Sequence, residues 1–171
     1  MADKSAFTPD EWGKVLGSVM LTGMAVTLSD QSGLWGMIKE SFAGSSSLVG
    51  ASTDANANSL VKAVVDDYKT SEGRGAAQQA VKAVFANVAN PEDAQAKAVE
   101  AIRAAAEIVS QKAPNDAGAF SAFLQSVGEK TANASNEGGF LGFGGVAVSE
   151  AEKAMLDKIA SALGAKAGTS A

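Results

Sequence analysis

The sequence predicts an all-α fold, a compact bundle of about seven helices. Three observations carry this. Apolar residues recur at three- and four-residue spacing through every long segment. Helix-start signals such as Thr8-Pro9-Asp10-Glu11 and Ser149-Glu150-Ala151-Glu152 stand just before several of those segments. No stretch alternates apolar and polar residues for long enough to make a strand, and Val146-Ala147-Val148 is too short to count.

The elements follow in order. Thr8 caps a helix over 9–28, with Pro9 at its first position and Glu11 reaching back. Its inner stripe is Trp12, Val15, Leu16, Val19, Met20, Gly23, Val26 and Thr27. Ser29 to Gly33 breaks it, and a short helix over 34–43 ends at Gly44. Gly44-Ser45-Ser46-Ser47 has the composition of a linker. Thr53 or Asp54 caps a third helix, whose inner face is Leu60, Val61, Val64, Val65 and Tyr68. Ser71 to Gly75 reads as a turn, and a fourth helix over 76–89 turns Val81, Val84, Phe85 and Val88 inward. Asn90-Pro91-Glu92-Asp93 opens a fifth helix over 91–112, whose acidic first turn suits the helix dipole. It stops before Pro114 and faces inward with Val99, Ile102, Ala106 and Val109. Asn115-Asp116 opens a sixth over 116–135, with Phe120, Phe123, Leu124, Val127 and Thr131 inside. Ser149 caps the seventh, which runs to Leu163 with Met155, Leu156, Ile159, Ala160 and Leu163 inside and Gly164 in the C′ position. Residues 1–7 form an N-terminal arm, 8–164 one helical domain, and 165–171 a frayed tail. A Gly-flanked aromatic segment follows Leu16-Gly17-Ser18-Val19 and again Leu124-Gln125-Ser126-Val127. This echo allows a pseudo-twofold pair of helical hairpins.

Composition narrows the function. The 171 residues suit one domain with a core. Leu, Ile, Val and Phe total only 36, while about one residue in five is Ala, so helices approach closely over a thin apolar core. The chain has no His and no Cys. That removes His-based acid–base chemistry, Ser-His-Asp and Cys-His nucleophilic sites, thiolate metal sites and His-ligated haem. Asp, Glu, Lys, Ser, Thr and Tyr68 remain, and they form no catalytic motif, so a non-enzymatic protein is expected. The net charge of −5 and the presence of just Arg74 and Arg103 give no basic face, so no nucleic-acid partner is expected. The start Met-Ala-Asp-Lys-Ser is not a secretory signal, and Val15 to Leu28 is too short and too interrupted to span a bilayer. A cytoplasmic location is the expectation.

The segment Gly138 to Gly145 is the leading candidate site. It carries Phe140, Leu141 and Phe143 among five glycines, where a loop would ordinarily be polar. Exposed apolar loops mark partner or membrane contacts. Leu34-Trp35-Gly36-Met37-Ile38 has the same character, so Trp35 joins the candidate set. The plain alternative folds both segments inward over the core. The glycine spacing does not make a nucleotide site, because no strand precedes it and Glu150 and Glu152 would repel phosphate. The carboxylate pairs Asp66/Asp67, Glu92/Asp93 and Glu150/Glu152 do not face each other on a helix, and Glu100 with Glu107 reads as a solvated face. Trp12 reads as core. No calcium-loop pattern is present, and neither a metal nor a cofactor is expected.

Gly144-Gly145-Val146-Ala147-Val148-Ser149-Glu150-Ala151-Glu152-Lys153-Ala154-Met155-Leu156-Asp157-Lys158-Ile159 resembles the helix-entry motif of TerB-like (tellurite-resistance-type) helical proteins. Gly144, Val146, Ser149, Glu152, Leu156 and Ile159 fit its pattern, and the likeness covers about 45 residues, 120–164. The family's loop Asp is absent and Phe143 stands before Gly144, which removes the acidic residues on which its proposed metal binding relies. The resemblance implies an all-helical module in stress response or membrane-associated assembly. The expected function is therefore interaction with a protein partner or a membrane surface through the glycine–aromatic loop, or else carriage of a small apolar ligand between Ala-rich helices.

Overall fold

The computed structural model describes residues 2–29, 58–137 and 148–164, with side chains given up to 134 in the second stretch. Among the described residues the fold is all-helical. A short 3-10 turn, Lys4–Ala6, precedes α1 (Pro9–Ser29), α2 (Ser59–Lys69), α3 (Ser71–Phe85), α4 (Pro91–Lys112), α5 (Ala117–Glu137) and α6 (Glu150–Ala162). The expected helix over 34–43, the caps Thr53 and Asp54, and the second part of each half of the sequence echo lie outside the described residues.

The chain is organised around α1. The sequence gives it an apolar stripe, but the structure buries it almost all round, including Gly13, Leu21, Ala25 and Leu28. Its polar residues do not prevent this, because their hydroxyls are satisfied within the helix. Ser18 Oγ donates to the Val15 carbonyl at 2.7 Å, and Thr22 Oγ1 donates to the Ser18 carbonyl at 2.8 Å. No water is needed for those groups. α3 and α4 make the largest contacts with α1, and α5 and α6 complete the enclosure. Close approach to α3 depends on Gly17, where a methyl group would meet Ala80 Cβ at 2.9 Å. α4 runs antiparallel to α1, tied by Gln95 Nε2 to the Leu28 carbonyl (2.8 Å) at one end and by Lys112 to Glu11 (3.3 Å) at the other.

Several start and stop signals act as the sequence predicts. Thr8 Oγ1 accepts from the Glu11 amide, and Glu11 Oε2 accepts from the Thr8 amide at 2.8 Å. The same reciprocal pair joins Ser149 and Glu152. Asn90 Oδ1 accepts from the Asp93 amide at 2.8 Å, and α4 spans 91–112. Gly164 adopts φ +75, the left-handed conformation expected at its position.

Other expectations are corrected. Ser71 to Gly75 is not a turn but the first part of α3, because Thr70 Oγ1 accepts from the Gly73 amide at 2.9 Å and caps the helix. The helix ends at Phe85, four residues short of the expected 89, and Val84, Phe85 and Val88 are only partly buried. α2 starts at the Asn58 cap. On α4 the fully buried stripe is Ala94, Ala98, Ile102, Ala105 and Val109, while Val99 and Ala106 lie at its margin. Small residues are chosen there because α4 lies against the equally close-packed α1. Leu156 and Ala160 are likewise marginal on α6.

Candidate functional site

The four candidate residues Trp35, Phe140, Leu141 and Phe143 lie outside the described residues. The structure does fix where their segments attach. α5 runs parallel to α1, since Asp116 just before α5 takes the amide of Ala2, which precedes α1, while a methyl group at Gly128, farther along α5, would meet Thr22 and Val26 toward the end of α1. α6 runs antiparallel to α5, since Gly128 faces Leu156 while Ser121 Oγ donates to the Leu163 carbonyl at 3.4 Å. The C-terminal ends of α1 and α5 and the N-terminal end of α6 therefore share one end of the bundle. The 138–147 segment leaves and re-enters there, and the 30–57 segment departs from there.

The re-entry point is firmly held. Ser149 N–H donates to Glu152 Oε2 at 2.9 Å, and Glu152 is buried beneath the first turn of α6. Val148 packs against the core.

The opposite end holds two carboxylates whose partners come from distant parts of the chain. Asp116, at the start of α5, accepts from Asn58 Nδ2 at 2.6 Å and from the Ala2 amide at 3.0 Å. These hydrogen bonds, the one from Asn58 foremost, hold its carboxyl below the usual 3.8. Asp67 Oδ2 accepts from Trp12 Nε1 at 2.6 Å and pairs with Lys4 at 3.2 Å. Trp12 is core, as the sequence predicts, with a polar tip that finds a partner. Tyr68 donates to the Leu16 carbonyl, and burial pushes its phenol up, away from any acid–base role near neutrality. Sequence reasoning missed Asp67 and Asp116. Their partners lie 55, 58 and 114 residues away, so no local pattern signals them.

The sign of the Asp116 shift sets a pH dependence. Its folded-state carboxyl is the stronger acid, so its stabilisation is present above the unfolded value near 3.8 and fades as pH falls through the lower folded value. Asp116→Asn is expected to unfold at lower urea than the native protein at pH 6, and the gap is expected to narrow by pH 3. A gap that stays constant between those pH values contradicts the assignment.

No family model, curated protein or solved structure matches this chain. The site is therefore read from its own residues. Among the described residues no group of three or more acidic side chains could hold a metal ion, and no helix is long and apolar enough to cross a membrane. Glu100 and Glu107 are exposed, as a solvated face requires. Where α3 and α4 diverge over α1, a groove of about 650 Å³ opens, walled by Leu21, Ala76, Ala80, Val84, Ala101 and Ala104, with Asp10, Lys14 and Gln79 at its rim.

Proposed function

We propose that this protein is a non-enzymatic interaction protein that works through the end of the bundle where α1 terminates. The contacting side chains are Phe140, Leu141 and Phe143, with Trp35 beside them. One observation supports the reading: the chain leaves α1 toward Trp35 at the same end of the bundle where it leaves α5 toward Phe140, so both apolar, glycine-flanked segments can meet one partner. At about 25 cal/mol per Å² of apolar area, three such side chains supply several kcal/mol on burial. A stress-related role, as the TerB-like resemblance implies, is part of this proposal.

The test is a photo-crosslinking amino acid placed at 140 or 143 in the source cells, with exposed Glu100 as control. The expected result is a discrete partner or lipid adduct from 140 and 143 and none from 100. Adducts that join 140 and 143 only to core residues of the same chain overturn the proposal.

The groove between α3 and α4 favours a second reading, carriage of a small apolar ligand. Its alanine walls leave space between helices that Leu or Phe would fill. A stoichiometric added mass on protein purified gently from its own source would put that reading first.

A further inference from the structure

At the end of the bundle where α1 begins, α2 is tied down in an unusual way. Each of its ends is held by a carboxylate that also holds residues 2–7. Asn58, the α2 cap, accepts from the Leu60 amide at 2.9 Å and donates to Asp116 at 2.6 Å, and Asp116 takes the Ala2 amide on its other oxygen. At the far end Asp67 pairs with Lys4 at 3.2 Å and accepts from Trp12 at 2.6 Å, while Lys4 also reaches Glu72 at 3.6 Å. Phe7 lies against Trp12 with ring centroids 5.5 Å apart. α2 also turns Leu60, Val61, Val64, Val65 and Tyr68 into the core, and Tyr68 donates to the Leu16 carbonyl of α1, so any opening of α2 carries those side chains with it.

We propose that residues 2–7 and α2 form one cooperative unit that opens together, hinged at Thr70, and uncovers the Trp12–Leu16 face of α1. The shared carboxylates supply the coupling. If residues 2–7 leave first, Asp116, 5% exposed in the closed structure, loses the Ala2 amide and is opened to water, which then competes with Asn58 for the carboxylate. If α2 leaves first, Lys4 loses Asp67, and the Phe7–Trp12 contact loses its neighbour. Thr70 suits the hinge. It is extended, at φ −87 and ψ 152, and its side chain caps α3, so that helix keeps its start while the opening of α2 parts Arg74 from the Tyr68 and Lys69 carbonyls. The opened form presents an apolar surface distinct from the proposed interaction end.

The test is amide hydrogen exchange by NMR on the full chain under native conditions. Lys62 is exposed on α2 and touches none of residues 2–7 in the described contacts, so Lys62→Gly weakens α2 alone. Loss of helix propensity should speed exchange of Val64 and Val65 about fivefold. Coupling is reciprocal, so Ala6 and Phe7 should speed up by the same factor, with Ile102 and Ala105 of α4 unchanged. Asp116→Ala should accelerate both sets as well. Wild-type exchange at Ala6 and Phe7 in Lys62→Gly overturns the proposal, because residues 2–7 are then independent. Equal acceleration at Ile102 overturns it too, because only global unfolding is then being read.

Discussion

Gly73→Ala is expected to destabilise the protein by about 3 kcal/mol, the upper range for overpacking. A methyl group there would meet the Asp67 carbonyl oxygen at 2.2 Å and its carbon at 2.6 Å. Both are backbone atoms, so no side chain can swing aside. The clash falls where α2 passes into α3, and Arg74 Nη1 holds the same junction by donating to the Tyr68 and Lys69 carbonyls, each at 2.9 Å. Relief would have to separate the two helices. Two residues on, Gly75 has nothing within 4 Å of its added methyl. Gly75→Ala removes only backbone freedom, so it should stabilise by roughly 0.5–1 kcal/mol. Equilibrium urea unfolding of the two variants checks the pair. If Gly73→Ala unfolds with the wild-type midpoint, the close α2–α3 junction is wrong.

That junction also shows where the sequence misleads. Glycines at 73 and 75 carry the composition of a turn and predict one. In fact Thr70 supplies a cap and Gly73 supplies room, so the same residues open a helix. Glycine signals conformational freedom and closeness alike, and only the neighbouring chain distinguishes the two. The elements that sequence patterns locate best have self-contained chemistry. Thr8 with Glu11 and Ser149 with Glu152 satisfy each other within one turn, and Pro91 and Pro114 bracket α4 by steric rule. The central placement of α1 is not readable this way, because Ser18 and Thr22 look wet until their hydroxyls are seen to bond back to the helix. The α4 stripe is displaced toward alanine because contact with α1 selects small size over hydrophobicity. At the candidate site the apolar content of 138–145 is legible from sequence. That the chain leaves α1 and α5 at one end depends on the directions of α1, α5 and α6, which no local pattern encodes.

Aromatic deletions inside the bundle and at its end should separate core from working surface. Phe120 is fully buried on α5 and, among the described residues, is the bulkiest of the completely enclosed side chains. Phe120→Ala removes its transfer free energy and leaves a cavity that rigid helix packing closes only in part, for a loss of about 3–5 kcal/mol. Against a total stability of roughly 5–15 kcal/mol, that is enough to broaden or abolish the cooperative urea transition. Removing two aromatics at the other site should do far less. If Phe140 and Phe143 serve a partner, the double variant Phe140→Ser, Phe143→Ser keeps the helical circular dichroism and shifts the urea midpoint by no more than a surface change does, about 0.5 kcal/mol. It should also lose the adduct-forming contact. If the double variant instead loses helix as Phe120→Ala does, the glycine–aromatic segment is part of the core. The glycine–aromatic segment then has no apolar side chains to offer a partner, and the groove between α3 and α4 becomes the surface to pursue.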